Sequence, residues 1–154
     1  MSFTHLDDQG HARMVDVTEK QPTIRSATAT GKVRCSEVVL AALRDGTTPK
    51  GDEFAVARIA GIQGAKRTAE LIPLAHIIGV HGATVDLELV ADGVQITATV
   101  RTADRTGVEM EAMTAVSVAA LTIVDMVKGL DKRVEIVDIA LIRKTGGKSG
   151  DWVR

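Results

Sequence analysis

The stretch Val85-Asp-Leu-Glu-Leu-Val-Ala-Asp92-Gly93-Val-Gln-Ile-Thr-Ala-Thr-Val-Arg101 decides the fold. Val85, Leu87 and Leu89 alternate with Asp86 and Glu88; beyond Asp92-Gly93, Val94, Ile96, Ala98 and Val100 alternate with Gln95, Thr97, Thr99 and Arg101. A period of two puts every second side chain on one face, and Asp-Gly is a preferred tight-turn pair. The stretch reads as a β-hairpin with one face buried.

Working outward, residues 23–33 alternate and are rich in Thr and Val, which predicts a strand. Residues 36–43 carry a short helical pattern closed by Asp45-Gly46, with Gly46 suited to the position just past a helix end. Asp52 then opens a longer helix that Pro73 stops, with Ala55, Ile59 and Ile62 on one apolar stripe. Ala60, Gly61, Gly64 and Ala65 form a small-residue face within it, expected to lie against another backbone because glycine alone disfavours a helix. Downstream of the hairpin, an Ala-rich helix is predicted over 108–128, ended by Gly129, and a last apolar strand over 134–143. Without the short first helix the order is β-α-β-β-α-β. This is an α+β chain of the ferredoxin-like type: an antiparallel sheet with helices on one face. The helix-free face is expected to be covered by another subunit. Residues 1–13 are polar and aperiodic and read as a flexible N-terminal arm; 14–154 read as one domain.

Composition narrows the function. The 154 residues are 45% hydrophobic, enough for one real core. A formal charge of −1 gives no global pull towards nucleic acid or an anionic membrane. Aromatics reduce to Phe3, Phe54 and Trp152, too few for the stacking platforms that grip single strands. Cys35 is alone, so one chain can make neither a disulfide nor a cysteine zinc site. No apolar stretch reads as long enough to span a bilayer, and the polar N-terminus does not read as a signal peptide, so a cytoplasmic domain is expected.

Four polar clusters could carry chemistry. In Lys50-Gly-Asp52, Asp52 suits a helix N-cap, whereas Lys50 opposes the helix dipole and so needs another reason. In Leu74-Ala-His76, after Pro73, the imidazole is a candidate; His76 and His81 could share a metal, but no third ligand lies nearby in sequence. Thr106-Gly-Val-Glu109 fits a capping box, which leaves Glu111 without a structural duty. Asp125 and Lys128 are three apart on one helix: an ordinary surface pair, or a lysine tuned by an aspartate. Glu111 and Asp125 share a helical stripe but lie about 21 Å apart. Either the site is long, as for a nucleotide-sized ligand, or each group belongs to a site completed by another subunit.

The tail Lys144-Thr-Gly-Gly-Lys148-Ser-Gly-Asp151 packs lysines, glycines and hydroxyls as an anion holder would. It is not a Walker A loop: Ile142 stands where the first glycine is required, and too few residues follow for the helix that would hold the phosphates. On its own it reads as either such a holder or a frayed polar tail; taken with Lys50, His76, Asp125 and Lys128 it reads as a flexible flap over phosphates.

Across essentially its whole length the chain resembles the MoaC family of molybdenum cofactor biosynthesis. The marks are Met14-Val-Asp-Val17, Lys50-Gly-Asp-Glu-Phe-Ala-Val-Ala-Arg-Ile-Ala-Gly-Ile-Gln63, Ala65-Lys-Arg-Thr68, Leu71-Ile-Pro-Leu74, Thr106-Gly-Val-Glu-Met-Glu-Ala112, Ser117-Val-Ala-Ala-Leu-Thr122, Asp125-Met126 and the Gly-Gly-Lys-Ser-Gly-Asp end. The resemblance implies a homohexamer, a trimer of dimers, with active sites at subunit contacts. It implies a lyase reaction in which 3′,8-cyclo-7,8-dihydro-GTP, supplied by an upstream radical enzyme, becomes cyclic pyranopterin monophosphate with release of pyrophosphate. By the same resemblance Asp125 is the active-site aspartate, Lys128 the neighbouring catalytic lysine and Lys50 the other general acid/base. Leu74, Ala75, His76, Met110 and Glu111 contact substrate, and Arg25 and Lys144 add positive charge, with Lys148 in the anion-holding tail. No cofactor is required; Mg2+ would come only with the triphosphate or pyrophosphate. The family usually has Leu-Cys-His-Pro where this chain has Leu74-Ala-His76-Ile77. That departure keeps open a weakly active or inactive paralogue that binds guanine nucleotide or pterin in a regulatory or assembly role.

Overall fold

In the computed structural model, which describes residues 4–154, the elements follow the hydrophobic pattern. They are β1 (Thr23–Arg34), α1 (Glu37–Asp45), α2 (Glu53–Lys66), α3 (Thr68–Leu71), β2 (Gly82–Val90), β3 (Gly93–Asp104), α4 (Glu109–Val127), β4 (Glu135–Thr145) and β5 (Trp152–Val153). The strands form one sheet in the order β2-β3-β1-β4-β5, with every pair antiparallel. Without α1, α3 and β5 this is the expected β-α-β-β-α-β order. The hairpin register is fixed by its pattern: Leu87 faces Ile96 and Leu89 faces Val94. A slip of one residue would turn the whole apolar set outwards.

The core lies between the sheet and the pair α2 and α4. Ala27, Ala29 and Val33 of β1 and Val94, Ile96, Ala98 and Val100 of β3 are buried, against Ala112, Ala115, Val116, Ala119, Ala120 and Ile123 of α4. Each large apolar side chain so buried contributes about 1.5–3 kcal/mol. The other sheet face is polar, with Ser26, Thr28, Thr30, Thr97 and Thr99 half-buried and Thr28 and Thr99 sharing a hydroxyl hydrogen bond of 2.8 Å.

α2 departs from its predicted stripe. Ile59 is 62% exposed, while Ala57, Gly61, Gly64 and Ala65 face inward. The reason is the close approach of α4: a Cβ on Gly61 would sit 3.0 Å from the Ala115 carbonyl oxygen, and one on Gly64 would sit 2.8 Å from Val118 Cγ2. The small-residue face is therefore the packing face, lying against the α4 backbone as expected, while Ile59 is displaced outward and Phe54 and Ile62 are only partly buried. The helix also ends at Lys66, seven residues before Pro73, with α3 as a separate turn. Asp52 is its N-cap, accepting from the Ala55 N–H.

Three further expectations are corrected. α4 has no side-chain cap at its N-terminus, so the Thr106–Glu109 capping box does not form. By length and composition α4 is apolar enough to cross a membrane, but ten of its residues are buried in this core. β4 is also not the last strand, because β5 returns to pair Lys144 with Trp152 and Arg143 with Val153. Of the predicted arm, residues 1–3 lie outside the described residues. The rest makes a turn in which Leu6 bridges Ala12 and the Asp7 carboxylate accepts from the Gln9 and His11 N–H groups.

Candidate active site

The C-terminal end of α4 carries Asp125 and Lys128 on one face, and the α1–α2 connection brings Lys50 to the same point. Asp125 Oδ2 lies 2.8 Å from Lys50 Nζ, and Oδ1 lies 2.7 Å from Lys128 Nζ. One carboxylate thus spaces two ammonium groups. Those contacts, Lys128 first and Lys50 second, hold the Asp125 carboxyl down to about 2. All three side chains are about half exposed, so the trio adds little to stability; its effect is to fix two proton carriers at an open surface. Lys50, unfavourable beside the α2 N-terminus, finds its counter-charge on α4.

At the other end of α4, Leu74, Ala75, His76, Met110 and Glu111 line one cavity of about 160 Å³, together with Thr106, Gly107 and Glu109. Pro73 and the irregular segment after α3 lay the chain across the start of α4. His76 Nε2 donates to the Val15 carbonyl at 2.6 Å. In the neutral ring this leaves Nδ1 as the bare, basic nitrogen. Glu111 is only 4% exposed. Burial pushes its carboxyl up to about 7, the nearby Glu109 charge adds to that, and its own backbone N–H and His76 oppose it. It is a carboxyl poised to hold or release a proton near neutral pH.

Arg25, Lys144 and Lys148 approach the same end from the sheet and the tail. The Arg25 guanidinium donates to the carbonyls of Asp104 and Arg105 at 3.1 and 3.3 Å. Lys144 contacts the Ser149 hydroxyl and lies 3.8 Å from Glu109. Lys148 lines a depression of about 780 Å³ with Lys20, Gln21, Thr23, Arg25, Gly147 and Ser149. The glycine–lysine tail is not a free flap. Gly146, Gly147 and Gly150 take φ of 82°, 77° and 70°, and the chain re-enters the sheet at β5, so the loop is held at both ends.

The predicted residues therefore form two groups rather than one. Lys50, Asp125 and Lys128 converge; His76, Met110 and Glu111 converge with the Lys144 side of the sheet; about 21 Å of α4 separates Glu111 from Asp125. His81 stands apart, its Nδ1 accepting from the Ala103 N–H at 3.2 Å. Sequence reasoning missed Glu109, assigned to a cap but paired instead with Lys144, and Lys20, whose place in the depression depends on a fold-wide approach. For Glu109 the usable signal was one of chemistry: a second carboxylate two residues from Glu111, opposite a lysine-rich tail.

A model of the MoaC family matches residues 14–147. Over 152 residues the chain is 60% identical to the cyclic pyranopterin monophosphate synthase of Streptomyces coelicolor, covering 99% of this chain and 89% of that protein. It is 58% identical to the protein of the same name from Geobacter metallireducens, covering 100% and 98%. It is 56% identical to that of Chloroflexus aurantiacus, covering 99% and 94%. With that model covering most of the chain and relatives more than half identical across nearly all of it, the chain belongs to the MoaC family.

Proposed function

We propose that this chain catalyses the cyclic pyranopterin monophosphate synthase reaction of molybdenum cofactor biosynthesis, a lyase step. The substrate is 3′,8-cyclo-7,8-dihydro-GTP from an upstream radical enzyme; the products are cyclic pyranopterin monophosphate and pyrophosphate. The observation that carries the reading is Asp125 held between Lys50 and Lys128 at 2.8 and 2.7 Å. Opening and reclosing a ring needs protons moved on and off nitrogen and oxygen, and a spaced pair of lysines can serve both directions. The cations Arg25, Lys144 and Lys148 suit the triphosphate and the departing pyrophosphate. Mg2+ enters only as the counter-ion of those phosphates. The pocket of Leu74, Ala75, His76, Met110 and Glu111 suits the purine-derived ring, with His76 held by Val15 rather than by a proline at position 77. That hold supports an active enzyme over a binding paralogue.

The separation along α4 supports a site shared between two copies, in a cytoplasmic homohexamer built as a trimer of dimers. Incubating the purified protein with the cyclised nucleotide should give pyrophosphate and pyranopterin in equal amounts; binding without either product would favour the paralogue. For the shared site, Lys50→Ala and Glu111→Gln chains unfolded and refolded together should regain about a quarter of parental activity, since half the dimers are mixed and each carries one intact site. No recovery above the separate variants would refute a shared site.

A further inference from the structure

Between α1 and α2 the chain crosses residues 46–52 without regular structure, and Lys50 sits in that crossing. Its side chain is about half exposed on a flexible four-carbon stem, so the ion pair with Asp125 can hold the ammonium only where the backbone delivers it. The position of that backbone therefore matters as much as the pair. Thr48 is only 9% exposed, and its Oγ1 lies 2.7 Å from the Gly51 carbonyl oxygen and 2.6 Å from Glu53 Oε2. The hydroxyl has one hydrogen, shared between a backbone acceptor just after Lys50 and a carboxyl in the first turn of α2. Glu53 is 7% exposed, an unusual position for a carboxylate that could meet the helix dipole equally well from solvent. Gly51 completes the crossing at φ 92°, in the left-handed region that favours glycine, directly before the Asp52 cap.

We propose that Thr48, anchored on the buried Glu53, is a positioning residue for Lys50: it closes the 48–51 turn that aims the ammonium at Asp125 and the reacting centre. This rests on the reading that Lys50 carries a proton in the reaction. A general acid or base displaced by about 1 Å can lose up to about a hundredfold in rate, so the hydroxyl matters to turnover more than to folding.

The test is steady-state pyrophosphate release by purified protein carrying Thr48→Val, Thr48→Ser or Lys50→Arg, and by the Thr48→Val/Lys50→Arg double variant. Thr48→Val should lower kcat by about tenfold to a hundredfold with KM within about twofold, and Thr48→Ser, which restores the hydroxyl, should stay within about twofold of the parent. Acting through Lys50, Thr48→Val should add no more than about twofold to the loss in Lys50→Arg. If Thr48→Val does not accumulate folded, Thr48→Ala carries the same comparison. The proposal is overturned if removing the hydroxyl leaves kcat within about twofold, if serine does not rescue, or if the two losses multiply in full. A parental rate in Lys50→Arg alone would overturn the proton-carrying role of Lys50, and this proposal with it.

Discussion

Replacing Glu111 with Gln should stabilise the protein at alkaline pH while removing activity. Glu111 is 4% exposed, and burial raises its carboxyl from 4.5 to about 7. Below pH 4.5 the group is protonated in both folded and unfolded chains and favours neither. Between 4.5 and about 7 the folded chain holds the proton and the unfolded chain has lost it, so stability falls as pH rises. Above about 7 the folded chain carries a buried carboxylate, and the full cost is present. At about 1.4 kcal/mol per pH unit, that cost is at most about 3.5 kcal/mol. Glutamine keeps the shape and has no charge to bury. Thermal melts at fixed protein concentration should show parent and Glu111→Gln close together near pH 4 and separated at pH 8. The variant should melt higher there by up to about 7–14 °C, at 2–4 °C per kcal/mol for a chain of this size. The same variant should lose about a hundredfold or more in turnover, because an amide cannot exchange the proton. A gap that is equal at pH 4 and pH 8 would refute the account, since it would place the effect in packing rather than in the buried charge.

Lys50→Ala and Lys128→Ala should each melt close to the parent, because their partner Asp125 is exposed, yet each should lose about 10²–10⁴ in kcat for pyrophosphate release; near-parental turnover in either would remove it from the proton-transfer scheme. Gly147→Ala and Gly150→Ala both place a side chain at positive φ, at about 1–2 kcal/mol each, but only at Gly147 would the new Cβ overlap the Arg25 guanidinium. Their melts should therefore fall alike, while KM rises several-fold in Gly147→Ala alone; equal KM values would separate Arg25 from substrate binding.

What was legible in the sequence follows from which physics is local. The hairpin over Gly82–Val90 and Gly93–Asp104 was readable because burial on one face imposes a period of two over many residues. The Gly46 end of α1 was readable because φ of 64° there suits glycine. On α2 the small-residue face was readable because interior glycines need a close neighbour, but the stripe failed at Ile59, which the close approach of α4 leaves exposed while Ile62 stays partly buried. The capping box failed because Val108, not Thr106, stands at the N-cap, which puts Glu109 at the first helical position rather than the third. β5 was invisible because two residues carry no period. Within the site, the pairing of Lys50 with Asp125 joins residues 75 positions apart, and no spacing rule reports such a contact.

α4 explains why fold and chemistry separate so cleanly in this chain. Its middle, from Ala112 to Ile123, supplies small buried residues that let α2 and the sheet close on it, and none of the candidate site residues lies there. Its ends hold Glu109, Met110 and Glu111 on one side and Asp125 and Lys128 on the other. The middle can be small and apolar because packing needs only shape, whereas the ends must meet charges brought by other segments: Lys144 from β4, Lys50 from the α1–α2 crossing. A helix of this length is too long for both ends to serve one reacting centre within a single chain, and shortening it would remove the contacts that close the core. Two copies related by a two-fold axis, with these helices antiparallel, would satisfy both demands at once, each lending its Asp125 end to the other's Glu111 end. In that proposed dimer the length of α4 answers to the partner as much as to the core, and deleting one turn from its apolar middle should abolish activity even where the shortened chain still folds.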